Sequence, residues 1–246
     1  MAAVVEPTPL NLLTIDVNGA VVRVKVFVTW KKTYFNNPNS AMSLEMILVD
    51  AQDNKIRASV RKRWISFYEP TFVEGKYLEL SNFGVVDCDD KVKLIPNALK
   101  ISIFRSTTIT VCPLFDIATE GFSPVHFQEL LEWRFSKDAV FDVLGALVEM
   151  KPMRIKHENG VDNKSLEFTL KDNSGIAIRC ALWAHHATRV FEYVSARKND
   201  IDSIVLLMHN CKLREWQGVP QVSNQLWGCR VYINDDIPAI NRFKAE

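Results

Sequence analysis

Val22, Val24, Val26 and Val28 alternate with Arg23, Lys25, Phe27 and Thr29 near the start of the chain. This two-residue period belongs to a strand with one face in a core and the other outside it. Residues 42–49, 55–61, 76–86 and 91–104 extend the pattern to five predicted strands. A turn at residues 50–54 joins the second to the third. Residues 64–72 predict a short helix interrupted by Pro70, and the Asn- and Pro-rich stretch 31–41 reads as a loop. A second set follows the same order. Strands are predicted at 141–150, 165–171, 176–183, 203–210 and 219–233, a helix at 184–195, and loops at 151–164 and 212–218. Between the sets, residues 105–120 are polar and irregular. Residues 122–135 can form a short amphipathic helix through Phe127, Leu130, Leu131 and Arg134.

The two sets are copies. Ser43-Leu44-Glu45-Met46-Ile47-Leu48-Val49-Asp50 returns as Ser165-Leu166-Glu167-Phe168-Thr169-Leu170-Lys171-Asp172. At the same offset, Ile56-Arg57-Ala58-Ser59-Val60-Arg61 returns as Ile178-Arg179-Cys180-Ala181-Leu182-Trp183. Five short strands with a helix after the third is the plan of an OB-fold barrel, a five-stranded Greek key. The expected fold is therefore all-β, two tandem OB-fold barrels. Residues 1–18 form an N-terminal extension, 19–104 the first domain, 105–137 a linker with a short helix, and 138–246 the second domain.

Composition narrows what the barrels can do. A chain of 246 residues with 48% hydrophobic positions can bury two cores. The net charge of +1 is shared evenly between the halves, so affinity for a polyanion has to come from local patches. The N-terminus has no basic start or long apolar core of the kind a signal peptide carries, and no apolar run has the length of a membrane span. Five widely spaced cysteines without a Cys-x-x-Cys pair predict reduced structural thiols, and Asn163-Lys164-Ser165 is an accidental sequon without a secretory route. Adjacent His185 and His186 point to different sides of their element and have no ligand-spaced Cys. There is no phosphate loop, nucleophile elbow or deaminase signature. Neither catalysis nor a metal or cofactor is expected.

A binding face is better supported. In the predicted strand 176–183, Ile176, Ile178, Cys180 and Leu182 face the core, so Trp183 shares the outer face with Ala177, Arg179 and Ala181. Small residues beside an aromatic and a cation make a shelf for stacked bases; packing of Trp183 under the helix or against the other domain is the structural alternative. Trp216 in the following loop, between Lys212, Arg214 and Gly218, supplies a second aromatic. The opposite loop carries Lys151, Arg154, Lys156, His157 and Lys164 around Asn159-Gly160. An aromatic platform between basic rims suits single-stranded nucleic acid. The first copy presents Lys55, Arg57, Arg61, Lys62 and Arg63 without a stacking group, with Lys31, Lys32, Tyr34 and Phe35 as further contacts. Asp87, Asp89 and Asp90 oppose them. A charged edge that merely protects the sheet would look the same.

These residues resemble a known family. Phe141-Asp142-Val143-Leu144-Gly145, Leu170-Lys171-Asp172-Asn173-Ser174-Gly175, Ala181-Leu182-Trp183 and Tyr232-Ile233-Asn234-Asp235-Asp236-Ile237-Pro238 are similar to the second central DNA-binding domain of the replication protein A large subunit. Leu48-Val49-Asp50, Ile56-Arg57-Ala58 and Gly75-Lys76-Tyr77 resemble the domain before it, and Phe83-Gly84-Val85-Val86 resembles its expanded plant families. The resemblance covers roughly residues 15–244 and implies two stacking aromatics per domain. Trp183 and Trp216 match them in the second domain, and Arg179 and Lys212 match backbone or base contacts. In the first domain the aromatic positions hold Arg61 and Lys93, while Arg57 keeps the basic contact. The resemblance does not extend to the family's N-terminal recruitment domain or C-terminal zinc ribbon, so membership in a standard heterotrimer is not expected. What it does imply is a nuclear, sequence-tolerant binder of single-stranded DNA working beside replication, repair or recombination proteins. A protein scaffold that has lost its ligand, or a binder of RNA or telomere ends, remains an alternative.

Overall fold

A computed structural model of the chain describes residues 6–34, 37–90, 92–117, 119–136, 138–158, 161–198 and 200–246. The chain divides into two compact units, Met1–Lys91 with Ile95–Gly121, and Val92–Leu94 with Phe122–Glu246.

The first unit contains β1 (Val21–Tyr34), β2 (Asn37–Val49), β3 (Lys55–Arg61), β4 (Tyr77–Ser81), β5 (Gly84–Asp87), β6 (Leu99–Ile103) and β7 (Thr108–Val111). They hydrogen-bond in the order β5-β6-β3-β2-β1-β4-β7, with β3 and β6 parallel. A 3-10 turn at Lys62–Trp64 leads into the four-residue helix α1 (Ile65–Tyr68). The second unit holds α2 (Phe127–Leu131), β8 (Phe141–Met150), β9 (Arg154–Glu158), β10 (Val161–Lys171), β11 (Ala177–Trp183), α3 (Ala184–Ala196), β12 (Val205–Trp216), β13 (Val219–Asn224), β14 (Arg230–Ile233) and α4 (Pro238–Ala245). Its sheet runs β11-β13-β12-β8-β10-β9, and β10 also pairs with β11, so five strands close into a ring. Both units are OB folds.

The internal repeat is visible in backbone detail. Asp50 and Asp172 organise equivalent turns: the Asp50 carboxylate accepts hydrogen bonds from the Gln52 and Asn54 N–H groups, and the Asp172 carboxylate accepts one from Ile176 N–H. Each turn needs a left-handed residue, supplied by Asp53 (φ 66°) in one unit and Gly175 (φ 82°) in the other. The fourth strand bends in both units at an asparagine with φ 55°, Asn82 between β4 and β5 and Asn210 within β12. The bend lets one strand pair with the first strand at one end and with the last strand at the other. Alternation places Val22, Val24, Met46, Leu48, Ile56 and Val60 in the first core. Val143, Leu166, Leu170, Ile178, Leu182 and Val222 occupy equivalent places in the second.

The structure corrects several boundaries. Residues 31–41, read as a loop, continue β1 and β2 as a ribbon through the pairs Thr33↔Ala41 and Tyr34↔Asn37; Phe35 lies outside the described residues. Residues 151–164 likewise contain the β9–β10 ribbon, and Asn159-Gly160 lies outside the described residues. The loop expected at 212–218 is the β12–β13 hairpin, turning on Gln217 and Gly218 at φ 54° and 76°. A ribbon projecting from a barrel has no buried face, so its sequence shows no alternation. The interval assigned to a linker contributes β7, paired with β4. The presumed extension places Leu10 and Leu13 in the first core, and Leu10 N–H donates to the Asp50 carboxylate at 2.9 Å.

Candidate nucleic-acid interface

The outer face of β11, β13 and β12 is built by register. Arg179 stands beside Gln221, which stands beside Arg214; one step along, Ala181, Ser223 and Lys212 form the next row. Ile178, Cys180, Leu182, Val222 and Leu213 alternate with them into the core. Two strand spacings separate Arg179 from Arg214, about 10 Å. Among the described residues, none of Arg179, Lys212 and Arg214 is ion-paired, and small or short polar side chains occupy the floor between them. Trp183 ends β11 and is 43% exposed; Trp216 ends β12 and is 51% exposed. Trp183 is therefore not buried under the helix. In register, the two rings are six residues apart along the strands, roughly 20 Å. Ala181, expected on an open shelf, is buried at the base of the face.

Trp183 is positioned by a group that strand parity does not single out. Its backbone N–H donates to the Asn224 side-chain oxygen at 2.8 Å, which joins the end of β11 to the end of β13. Ala184 then takes a left-handed conformation, φ 55°, and starts α3. Strand and helix part at this corner, leaving the indole outside.

The opposite rim is less basic than its composition. Glu167 accepts contacts from Lys151 and Arg154, both at 3.0 Å, Lys156 pairs with Glu158, and His157 pairs with Asp162. The Lys156 pair is solvent-exposed, and such pairs contribute only about 0–1 kcal/mol. Lys156 can therefore exchange its partner for a phosphate at small cost.

The first unit differs at the same places. Arg57, the counterpart of Arg179, is 4% exposed. Its guanidinium donates to Glu45 at 2.7 Å and Asp90 at 2.8 Å and lies over the Trp30 ring, 5.2 Å from the centroid. Lys32 also binds Asp90, at 3.1 Å. Burial raises the Asp90 carboxyl pKa, but Arg57 and Lys32 outweigh it and hold the group below the usual carboxylate value. Arg57, expected as a basic contact, is thus buried, with one terminal nitrogen donating to each of two carboxylates. Arg61 is exposed at the end of β3. Lys93 is exposed and lies outside the strands.

Comparison with known proteins agrees with this fold. The family model "Domain of unknown function DUF223" matches residues 12–128, and "Replication protein A OB domain" matches residues 131–226. A 70 kDa DNA-binding subunit of replication protein A from Arabidopsis thaliana is 23% identical over 90% of this chain and 35% of its own length. Its counterpart from Oryza sativa subsp. japonica is 19% identical over 90% of this chain and 24% of its own length. The chain thus spans about a third or less of these curated relatives. A chain from a replication protein A heterotrimer bound to ssDNA superposes with a TM-score of 0.66 at 17% identity, covering 97% of this chain and 54% of that one. The chain resembles the replication protein A large subunit over most of its length.

Within this replication protein A-like pair of OB folds, buried polar groups brace the second barrel. The Asp142 carboxylate contacts His209 Nδ1 at 2.7 Å and accepts from the N–H groups of Ser123 and Asn210 at 2.9 and 3.1 Å. Burial raises its pKa, but His209 and these N–H donors hold it below the usual value. In α3, burial followed by the nearby positive charges pushes His186 down to about 3. All five cysteines are unbridged, four of them buried, and burial raises the Cys180 thiol far above its ordinary value. Among the described residues, no three His, Cys, Asp or Glu side chains converge as metal ligands would, and no helix is long and apolar enough to cross a membrane.

Proposed function

We propose that this protein binds single-stranded DNA without strong sequence preference, chiefly through its second unit, and acts in the nucleus beside replication, repair or recombination proteins. The observation that carries the reading is the face bounded by Trp183 and Trp216 with Arg179, Lys212 and Arg214 between them. Exposed indoles stack on any base, and unpaired cations follow a phosphate backbone, so recognition tolerates sequence. The likeness to replication protein A subunits supports the class of ligand and the cellular setting. No catalytic step is part of this reading.

Replacing both aromatics tests it. Trp183→Ala with Trp216→Ala is expected to remove about 2–6 kcal/mol of binding, taking the stacking value for two bases. Anisotropy of a labelled oligothymidine measures the loss. A double variant that binds as tightly as the parent contradicts the assignment of this face.

A further inference from the structure

The first unit lacks an aromatic at the end of β3 and covers Arg57, yet it carries an open pocket just beyond that strand. Arg61, Arg63, Trp64, Phe104 and Arg105 line it, with a volume of about 420 Å³. We propose that this pocket binds a nucleotide of single-stranded DNA, with Phe104 and Trp64 as aromatic contacts for the base and the three arginines as phosphate contacts. The inference rests on the single-strand reading above and gives the first unit its own site, displaced from its strand face.

Three observations carry it. First, the arginines are available: among the described residues none of Arg61, Arg63 and Arg105 makes an ion pair, and all are exposed. Arg63 and Arg105 instead lie over the Trp64 ring, at 5.3 and 5.2 Å from its centroid. Three guanidiniums with no carboxylate form an electropositive pocket that favours a phosphodiester. The aromatic walls add a stacking surface that a simple anion site does not need.

Second, Phe104 is held in place rather than loosely exposed. Its N–H donates to Thr107 Oγ1 at 2.9 Å, and its carbonyl accepts from the Tyr68 hydroxyl at 2.6 Å. Asn82 Nδ2 donates to the Ser106 carbonyl at 2.8 Å, so the loop from Phe104 to Thr107 is fixed on both flanks. The ring rests against Gly84, where a Cβ would stand 2.7 Å from it. Glycine is the residue that admits the ring. A 41% exposed phenylalanine fixed in this way is a prepared surface, and preorganisation lowers the ordering cost of binding.

Third, the neighbouring groove is closed to phosphate. Glu45 and Asp90 occupy the donors of Arg57, and Asp90 also engages Lys32. Among the described residues, the arginines of this unit that make no ion pair are Arg61, Arg63 and Arg105.

The test uses the full-length chain, an oligothymidine carrying 4-thiothymidine, and ultraviolet cross-linking with peptide mapping. The expected result is cross-linking at Phe104 or Trp64 as well as at Trp183 or Trp216. Arg61→Glu, Arg63→Glu and Arg105→Glu together should abolish the first-unit cross-link and retain the second. The same variant should weaken binding at least about tenfold and reduce the salt slope by about 0.7–1.4, one or two phosphates at about 0.7 each. Cross-links confined to Trp183 and Trp216 overturn the pocket while leaving the single-strand reading intact. An absence of both binding and cross-links overturns the two together.

Discussion

Glu45 and Arg57 repeat as Glu167 and Arg179, but only the first pair closes. In the second unit Glu167 turns to Lys151 and Arg154, and Arg179 stays exposed. In the first, Asp90 and Trp30 enclose Arg57 and complete its neutralisation. The identical dipeptide Ile-Arg therefore has two fates, decided by residues distant in sequence. This is why the exposure of Trp183 and Trp216 is legible from strand parity and hairpin context, whereas the burial of Arg57 is not. Asp90→Asn should cost about 1 kcal/mol of stability near neutral pH, a modest value because Asp90 is partly solvated. Because the folded Asp90 pKa is depressed, its contribution is present above the unfolded carboxylate value and is lost as pH falls through the folded one. Urea midpoints of parent and variant should differ at pH 7 and converge in strong acid. A gap that persists in acid contradicts the ion-pair account.

Elements with a buried face are readable in the sequence, and those without one are not. Strands β3 and β8 fall on the residues that alternation marks, because each contributes alternate side chains to a core. The β1–β2 and β9–β10 ribbons look like loops in sequence, since β9 is exposed along its whole length. The terminal helix α4 lies outside the expected elements although its signals are present: Pro238 at the start, buried Ala239 and Ile240, and basic residues in the last turn. Helix α3 is legible as an element but not in its titration. Its His186 is buried and held neutral down to about pH 3, whereas the unfolded chain takes up a proton from about pH 6.5. Stability should therefore fall as pH drops below about 6.5, by about 2 kcal/mol at pH 5 from this group alone. Denaturant midpoints between pH 7 and 5 should show the decline, and His186→Leu should flatten that part of it. An unchanged slope in the variant places the acid sensitivity elsewhere.

At the scale of the molecule, one fold occurs twice with different surfaces. The second unit exposes a face bounded by two indoles; the first sequesters its equivalent arginine and keeps an arginine–aromatic pocket. The repeated strands announce the duplication, but Phe104 gives no comparable signal. It follows the last barrel strand, outside the repeated stretch, and its role depends on its meeting Gly84, Tyr68 and Thr107 in space. The most direct measurement of the central claim is a titration of the parent protein's tryptophan emission with oligothymidine at two salt concentrations. The account predicts saturable quenching at low salt and weaker binding at high salt, with a slope of about −0.7 per phosphate contacted. Emission that stays unchanged at low salt, whatever the oligothymidine concentration, would contradict it.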